Sequence, residues 1–413
     1  MQRASTLDRL VKSRWALPAI ALILGLAARL FLAITFYGNF DQDSYDLVAG
    51  LMLQGKNVYV ETARYNYAPV WAYILEALAR IAIRYHAEYH IVVRGFLTFV
   101  DVGVAAVIGM IAARLRPGSG RIAFSAYLLN PVAILLVGYH GQFENLAMLP
   151  MLLAVYLTTG KHRTRSSTLV IWLLATASLL TKHLVVFSIW MFFVYVFTER
   201  RYLVAMALSV ISFLLSFTPF LPSGLNGIIR NLILYGELSS SYGTGLLPVA
   251  MSDLFALFHH ATDGRLGAIL IGGANDVDRL LLVGVMGALP FLAKRWLKLS
   301  LIDALELSTV ALLSLIYIFG EQYFILPVIV GSIRRSRAYW AYSTVTTLLL
   351  FTSPVNIHLI DLPYGQFYLA ANVVWLSLLV WFGSVAINAR HRESLRQGQF
   401  ADSFATSRSA LQP

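Results

Sequence analysis

The run Asn39-Phe40-Asp41-Gln42-Asp43-Ser44-Tyr45-Asp46 places three carboxylates within six residues, just where the first long apolar stretch, residues 17–37, gives out. A carboxylate drawn partly out of water at a bilayer surface binds its proton more tightly, which suits it to act as a general base near neutral pH. Asp41 or Asp43 can in this way take the proton from a hydroxyl that attacks a lipid-linked substrate. The competing role for both acids is to cap the next helix, since Asp is favoured at a helix N-terminus.

Three further clusters could work with those acids. His140-Gly141-Gln142-Phe143-Glu144-Asn145 offers hydrogen-bonding groups in a tight turn, suited to sugar hydroxyls or phosphate oxygens, or simply to a polar hairpin. Lys182 and His183 interrupt an apolar hairpin; a cation there needs a partner or ligand, with a lipid-linked phosphate the natural ligand, or else it snorkels to water. Arg230, Arg265 and Arg279 are weaker candidates for the same anion. Glu321 and Gln322, followed by Tyr323, can hold hydroxyls or form a polar turn. Arg94 and Asp101 lie seven residues apart on one helical face and are expected to pair with each other or with a neighbouring helix. Asp41-Gln42-Asp43 has oxygen ligands for a hard divalent ion, but two acids make a weak site. His259-His260 is adjacent rather than helically spaced, so no metal is assigned. The chain has no cysteine, which excludes disulfides, thiolate metal sites and a cysteine nucleophile.

The elements that must position these residues are membranous. Of 413 residues, 58% are hydrophobic and 13% charged, outside the range of a soluble domain. With roughly 20 apolar residues needed per crossing, spans are expected at 17–37, 91–113, 122–138, 145–159, 168–181, 184–198, 203–221, 278–293, 300–319, 323–333, 338–355 and 366–388, making an all-α polytopic membrane protein of about 12 transmembrane helices. The segments 168–181 and 323–333 are short enough to be tilted, broken or re-entrant. Arg9, Arg114, Arg116, Lys161, Arg200, Lys294, Arg334 and their basic neighbours collect on one side, which the positive-inside rule makes cytoplasmic together with both termini. The net charge of +11 is thus explained by membrane orientation, without a nucleic-acid partner. Every candidate cluster then falls on the opposite, outer face.

The segment Tyr67 to Tyr85 is apolar but interrupted by Glu76, Arg80 and Arg84, and counting it as a span would put basic loops outside. It is therefore expected to lie in the interface as an amphipathic helix, with Pro69 in its first turn and a shorter helix around Asp43 to Leu53 beside it. One catalytic domain covers 1–389, with a first outer loop at 38–90 and a second long one at 222–277. The Gly- and Ser-rich stretch Ser239 to Gly245 in that second loop could form a lid or a plain surface loop, with an amphipathic stretch at Met251 to His259. Residues 390–413 form a basic tail expected to be disordered.

Within this frame, Asp41-x3-Tyr45-x9-Gly55-x3-Tyr59, followed by Tyr65-Asn66-Tyr67-Ala68-Pro69, resembles the first outer loop of polyprenyl-phosphate-sugar-dependent glycosyltransferases of the GT-C superfamily. It looks most like the polyprenol-phosphomannose-dependent mannosyltransferases, including the first mannosyltransferase of GPI-anchor synthesis. Tyr139 to Asn145 and Leu180-Thr181-Lys182-His183 are similar to motifs in the dolichyl-phosphoglucose-dependent enzymes of N-glycan assembly. The resemblance spans roughly residues 15 to 200, and elsewhere is one of hydropathy alone. Glu144 stands where those glucosyltransferases more usually have an Asp or Asn-type residue, and the turn at Glu321 lacks their fuller set of histidines.

The resemblance implies a GT-C-like bundle whose first outer loop forms two interfacial helices, with an acid just after the first span as catalytic base. That acid is Asp41, with Asp43 second. Tyr45, Tyr67, His140, Gln142, Glu144, Lys182, His183, Glu321 and Gln322 are then expected to bind substrate. The partners implied are a polyprenyl-phosphate-linked sugar, a lipid, glycan or protein acceptor, and membrane lipids, with no required cofactor. The location expected is a bacterial-type cytoplasmic membrane. A polytopic transporter or lipid flippase is the rival class, although such proteins usually carry paired repeats and polar groups near the midplane. A scaffold without chemistry is the third reading.

Overall fold

The computed structural model describes residues 15–160, 165–233, 280–316, 320–353, 357, 359–360 and 370–388. The stretches Ser239 to Gly245 and Met251 to His259, the residues His260, Arg265 and Arg279, and the 390–413 tail lie outside the described residues. Every regular element among the described residues is helical.

The chain begins with α1 (Ala16–Thr35), which buries the stripe Ala21, Gly25, Arg29, Leu32 and Ala33 and leaves Ile20, Ile23, Leu24, Phe31 and Ile34 exposed. An apolar outer face of this kind suits lipid contact. The first connection holds α2 (Phe40–Leu53), a single turn α3 (Val58–Glu61) and α4 (Pro69–Tyr85). Helix α4 buries Trp71, Ala72, Leu75, Leu78, Ala79 and Ala82, while Ile81, Ile83 and Tyr85 stay exposed and Arg80 pairs with Glu76 at 2.5 Å on the open side. The two helices expected in this loop are thus present.

Helix α5 (Tyr89–Leu115) is long enough, at about 40 Å, to cross a bilayer. The expected single span at 122–138 is instead two helices, α6 (Gly120–Leu128) and α7 (Pro131–Gly138), bent by 50°. Pro131 has no N–H to donate and pushes Asn130 out of helical geometry. The Asn130 side chain then caps the new helix by accepting from the Val132 amide at 3.0 Å.

Next come α8 (Glu144–Thr158), α9 (Arg165–Thr181), α10 (Val186–Val196) and α11 (Arg201–Leu215). The span expected to end near 221 continues through α12 (Leu221–Ile228) and a π turn, Ile229–Ile233, so that 201–232 reads as one apolar helical stretch. Its distal end seats on the first loop: Asn57 donates to the Phe220 carbonyl at 2.8 Å and Asn231 to the Thr62 carbonyl at 2.8 Å. The beginning of the expected 222–277 loop is therefore helix packed on α3.

The rest comprises α13 (280–291), α14 (Leu301–Leu315), α15 (Ile325–Arg334), α16 (Arg337–Thr352) and α17 (Ala370–Asn388). Every residue of α15 from Ile325 to Ile333 is buried, as expected of a helix apolar on all sides. It packs against α5, α6, α7 and α8. Among the described residues four helices are long and apolar enough to cross a membrane, or five if the bent pair is one span; the other expected spans fall on shorter helices.

Arg29 and Asp101 meet inside this bundle at 2.6 Å, both fully buried. Tyr127 donates to the same carboxylate, and Arg29 also donates to the carbonyls of Gly25 and Leu128 at 3.0 and 2.7 Å. Asp101 thus pairs with a neighbouring helix, not with Arg94.

Candidate functional site

At one end of the bundle, the C-terminal ends of α1, α7 and α9 meet the N-terminal ends of α5, α8 and α15. Asn39 caps α2, its side chain accepting from the Asp41 amide at 3.1 Å. The capping role weighed for Asp41 and Asp43 therefore belongs to Asn39. The Asp41 carboxylate is left to turn inward, where Gln142 donates to it at 2.6 Å and His140 Nδ1 lies 3.5 Å away. Its side chain remains 27% exposed, the most open of the site's carboxylates.

His140 and Gln142 reach Asp41 because the α7–α8 turn is tight. Gly141 sits at φ +68°, a left-handed conformation that a side chain would strain. Asn39 contacts His140 Nε2 at 2.7 Å, and Glu321 Oε2 faces the same nitrogen at 3.9 Å. Ser353 donates to the other Glu321 oxygen. Burial pushes the Glu321 carboxyl up to about 7; the Ser353 hydrogen bond opposes this and the charge of Asp41 adds to it. Burial lowers the His140 imidazole, with Asp41 opposing and Lys182 reinforcing, so its neutral form is favoured.

Beside this acid and imidazole lies an aromatic layer. Trp71 stacks on Phe143 at 4.3 Å between ring centres, Tyr67 meets Phe143 edge-on at 4.8 Å and Tyr45 meets Trp71 edge-on at 5.4 Å. Lys182 sits among these rings, with its ammonium 4.4 Å from the Phe143 centre, 5.0 Å from Tyr67 and 5.3 Å from Tyr323. It donates to Glu144, and both side chains are 1% exposed. The snorkelling reading of Lys182 is excluded by this burial. Glu144 occupies the first position of α8, where the helix dipole favours a carboxylate.

Several buried polar atoms here have no hydrogen-bond partner among the described residues: the Tyr45 hydroxyl, Trp71 Nε1, Gln42 Oε1, Gln142 Oε1 and Glu144 Oε2. Buried polar groups are normally paired, so such a concentration sets this end of the bundle apart from its apolar core.

Eight of the expected residues come together: Asp41, Tyr45, Tyr67, His140, Gln142, Glu144, Lys182 and Glu321. Asp43 does not; it lies on the exposed side of α2 beside Tyr37. Gln322 is half-buried, and among the described residues no hydrogen bond joins it to the cluster. His183 follows Lys182 in a short 3-10 turn, with Nδ1 lacking a partner among the described residues. Burial, reinforced by the Lys182 charge, lowers the His183 imidazole to about 4.

Asn39, Trp71, Phe143 and Ser353 belong to the site without having been assigned to it. Asn39 had a signal, being a cap-type residue directly ahead of a helix. Ser353 had none, since it arrives 32 residues after its partner. Among the described residues no group of three or more His, Cys, Asp or Glu is placed to hold a metal ion.

Fold and site together define a helical membrane protein with a polar cluster gathered at one end of its apolar bundle. No protein-family model matches the chain, and no curated protein matches it either.

Proposed function

We propose that the chain is a membrane glycosyltransferase that moves a hexose, mannose before glucose, from a polyprenyl-phosphate carrier to an acceptor hydroxyl on the non-cytoplasmic face, with inversion. The same reading makes the fold a GT-C-like bundle of about twelve spans, with α2 and α4 lying in the interface. The observation that carries it is the Asp41 carboxylate: partly open, oriented by Gln142 and His140, and held at the end of an apolar helix.

In this mechanism the acceptor oxygen attacks the anomeric carbon as its proton passes to Asp41. The bond from that carbon to the phosphate oxygen breaks on the opposite side, and its electron pair leaves with the lipid phosphate. A phosphate leaving group needs no acid, only donors and positive potential where negative charge collects. Lys182, ion-paired with Glu144, contributes the dipole of that pair rather than a net positive charge or direct contact. The unpartnered Tyr45 hydroxyl and Trp71 indole supply the donors. Gln142, Glu144 and Glu321 hold sugar hydroxyls.

The test uses purified protein in lipid nanodiscs with polyprenyl-phosphate-mannose or -glucose and a membrane-lipid acceptor extract. Asp41→Asn is expected to lower turnover by about 100-fold or more, the range of a lost general base. Asp43→Asn is expected to stay within about threefold of the unmodified protein, since its carboxylate faces away. Full transfer by Asp41→Asn and by the double variant would sink the mechanism. Movement of labelled carrier across proteoliposomes without covalent change would transfer the case to a flippase.

A further inference from the structure

Arg94 is fully buried in α5, yet among the described residues no carboxylate pairs with it. Its guanidinium is occupied by backbone carbonyls instead. One amino group donates to Phe36 and Tyr37 at 2.5 and 2.8 Å, the other to Gly138 and Tyr139 at 3.3 Å each. Phe36 is the C-cap of α1, while Gly138 ends α7 and Tyr139 caps it. The last carbonyls of a helix lack intrahelical partners and carry the negative end of its dipole. One planar cation therefore closes two helices at once.

Both turns bend around it. A side chain at Gly141 would begin 3.2 Å from the Arg94 Cγ, and one at Gly38, where φ is +108°, would begin 3.8 Å from its Cζ. The first turn leads directly to Asn39 and Asp41, the second to His140 and Gln142. Arg94 thus joins the turn that carries Asp41 to the turn that carries Gln142, in addition to the direct Asn39–His140 contact at 2.7 Å. Lysine is a single-point donor and cannot fork across both turns.

We propose that Arg94 is a positioning residue, a shared cap on α1 and α7 that holds the Asp41 turn in register with the His140-Gln142 turn. Its catalytic consequence rests on the glycosyltransferase reading; the mechanical one does not.

Two arms separate these. The chain has no native cysteine, so Phe36→Cys and Tyr139→Cys, at positions whose rings now touch with centres 5.6 Å apart, give an unambiguous reporter. In the first arm, with no substrate, a short bifunctional thiosulfonate links the pair in full-length protein. Linking is expected to be about tenfold slower or more with Arg94→Met, given the hydrogen bonds from a charged donor that are lost, and intermediate with Arg94→Lys. Equal rates in monodisperse protein overturn the proposal. Should Arg94→Met fail to fold, Arg94→Lys alone decides.

In the second arm, Arg94→Met is expected to lower kcat by about 100-fold, the effect of roughly 1 Å of misplacement, with KM for the lipid-linked donor nearly unchanged. Linking the cysteine pair is expected to restore most of the turnover, and reduction to abolish it again. A raised KM with kcat intact would make Arg94 a substrate ligand and overturn the proposal, as would failure of the link to restore turnover. If the unmodified protein transfers no sugar, the glycosyltransferase reading fails by itself and the linking rate still decides whether Arg94 holds the turns.

Discussion

Glu321 is a carboxyl enclosed by α15, His140 and Ser353, and its protonation links the site to pH. Its folded pKa, about 7, lies above the ordinary 4.5. The folded state therefore binds the proton more tightly, and this contribution to stability is fully present below 4.5 and is lost as pH rises through about 7. Glu321→Gln should remove that slope, making the variant gain on the unmodified protein between those pH values. Thermal unfolding in detergent across this range checks it; parallel curves would contradict the burial argument. Other groups titrate there too, but they are common to both proteins. At this scale the sequence was readable where a residue's chemistry was local. Asp41 stood out because it follows an apolar run, whereas its orientation by Gln142 depends on a residue 101 positions away. Arg94 was expected to pair with Asp101 or with a neighbouring helix, and the backbone carbonyls it meets instead have no signature in residue type.

Helices were legible in the same measure as their boundaries were local. Helix α5 and the amphipathic α4 stand close to where periodicity and Pro69 put them. The break between α6 and α7 was written in Asn130-Pro131 but hidden by an apolar run that continued across it. The extension of the 201–232 stretch was missed because Pro222 and Gly224 resemble the start of a loop; Pro222 is instead tolerated in the first turn of α12. That extension matters for the first loop. A methyl group at Gly227 would sit 1.9 Å from the Tyr59 carbonyl oxygen, so Gly227→Ala must push α12 away from α3. The expected cost is about 1–3 kcal/mol, as for other overpacked contacts. Limited proteolysis should then cut the 55–66 segment sooner than in the unmodified protein, and unchanged cleavage would mean that the contact does not hold the loop.

At the scale of the molecule, polar chemistry gathers at one end and basic caps at the other, where Arg114 reaches Thr159 at 3.1 Å and Arg334 reaches Asp303 at 3.0 Å. Between these ends the Arg29–Asp101 pair ties α1 to α5. Asp101→Leu alone would strand a buried guanidinium and is expected to destabilise by about 3–5 kcal/mol. Arg29→Met together with Asp101→Leu should recover part of that loss, because no guanidinium is left stranded while the Tyr127 hydroxyl and the Leu128 carbonyl lose their partners. Unfolding midpoints of the two single variants and the double variant form the cycle that tests it; simple additivity would show that the pair is not coupled.

The exposed apolar flank of α1 has one further consequence. That helix is 20 residues long, about 30 Å, and ends six residues before Asp41. Its hydrophobic length must match the thickness of the surrounding hydrocarbon, or the helix will tilt or the bilayer deform. The depth of the Asp41 carboxylate is thereby geared to acyl-chain length. For the glycosyl transfer proposed above, reconstitution in phosphatidylcholines from fourteen- to twenty-two-carbon chains should therefore give turnover with a maximum at intermediate thickness, falling on both sides while the protein stays folded.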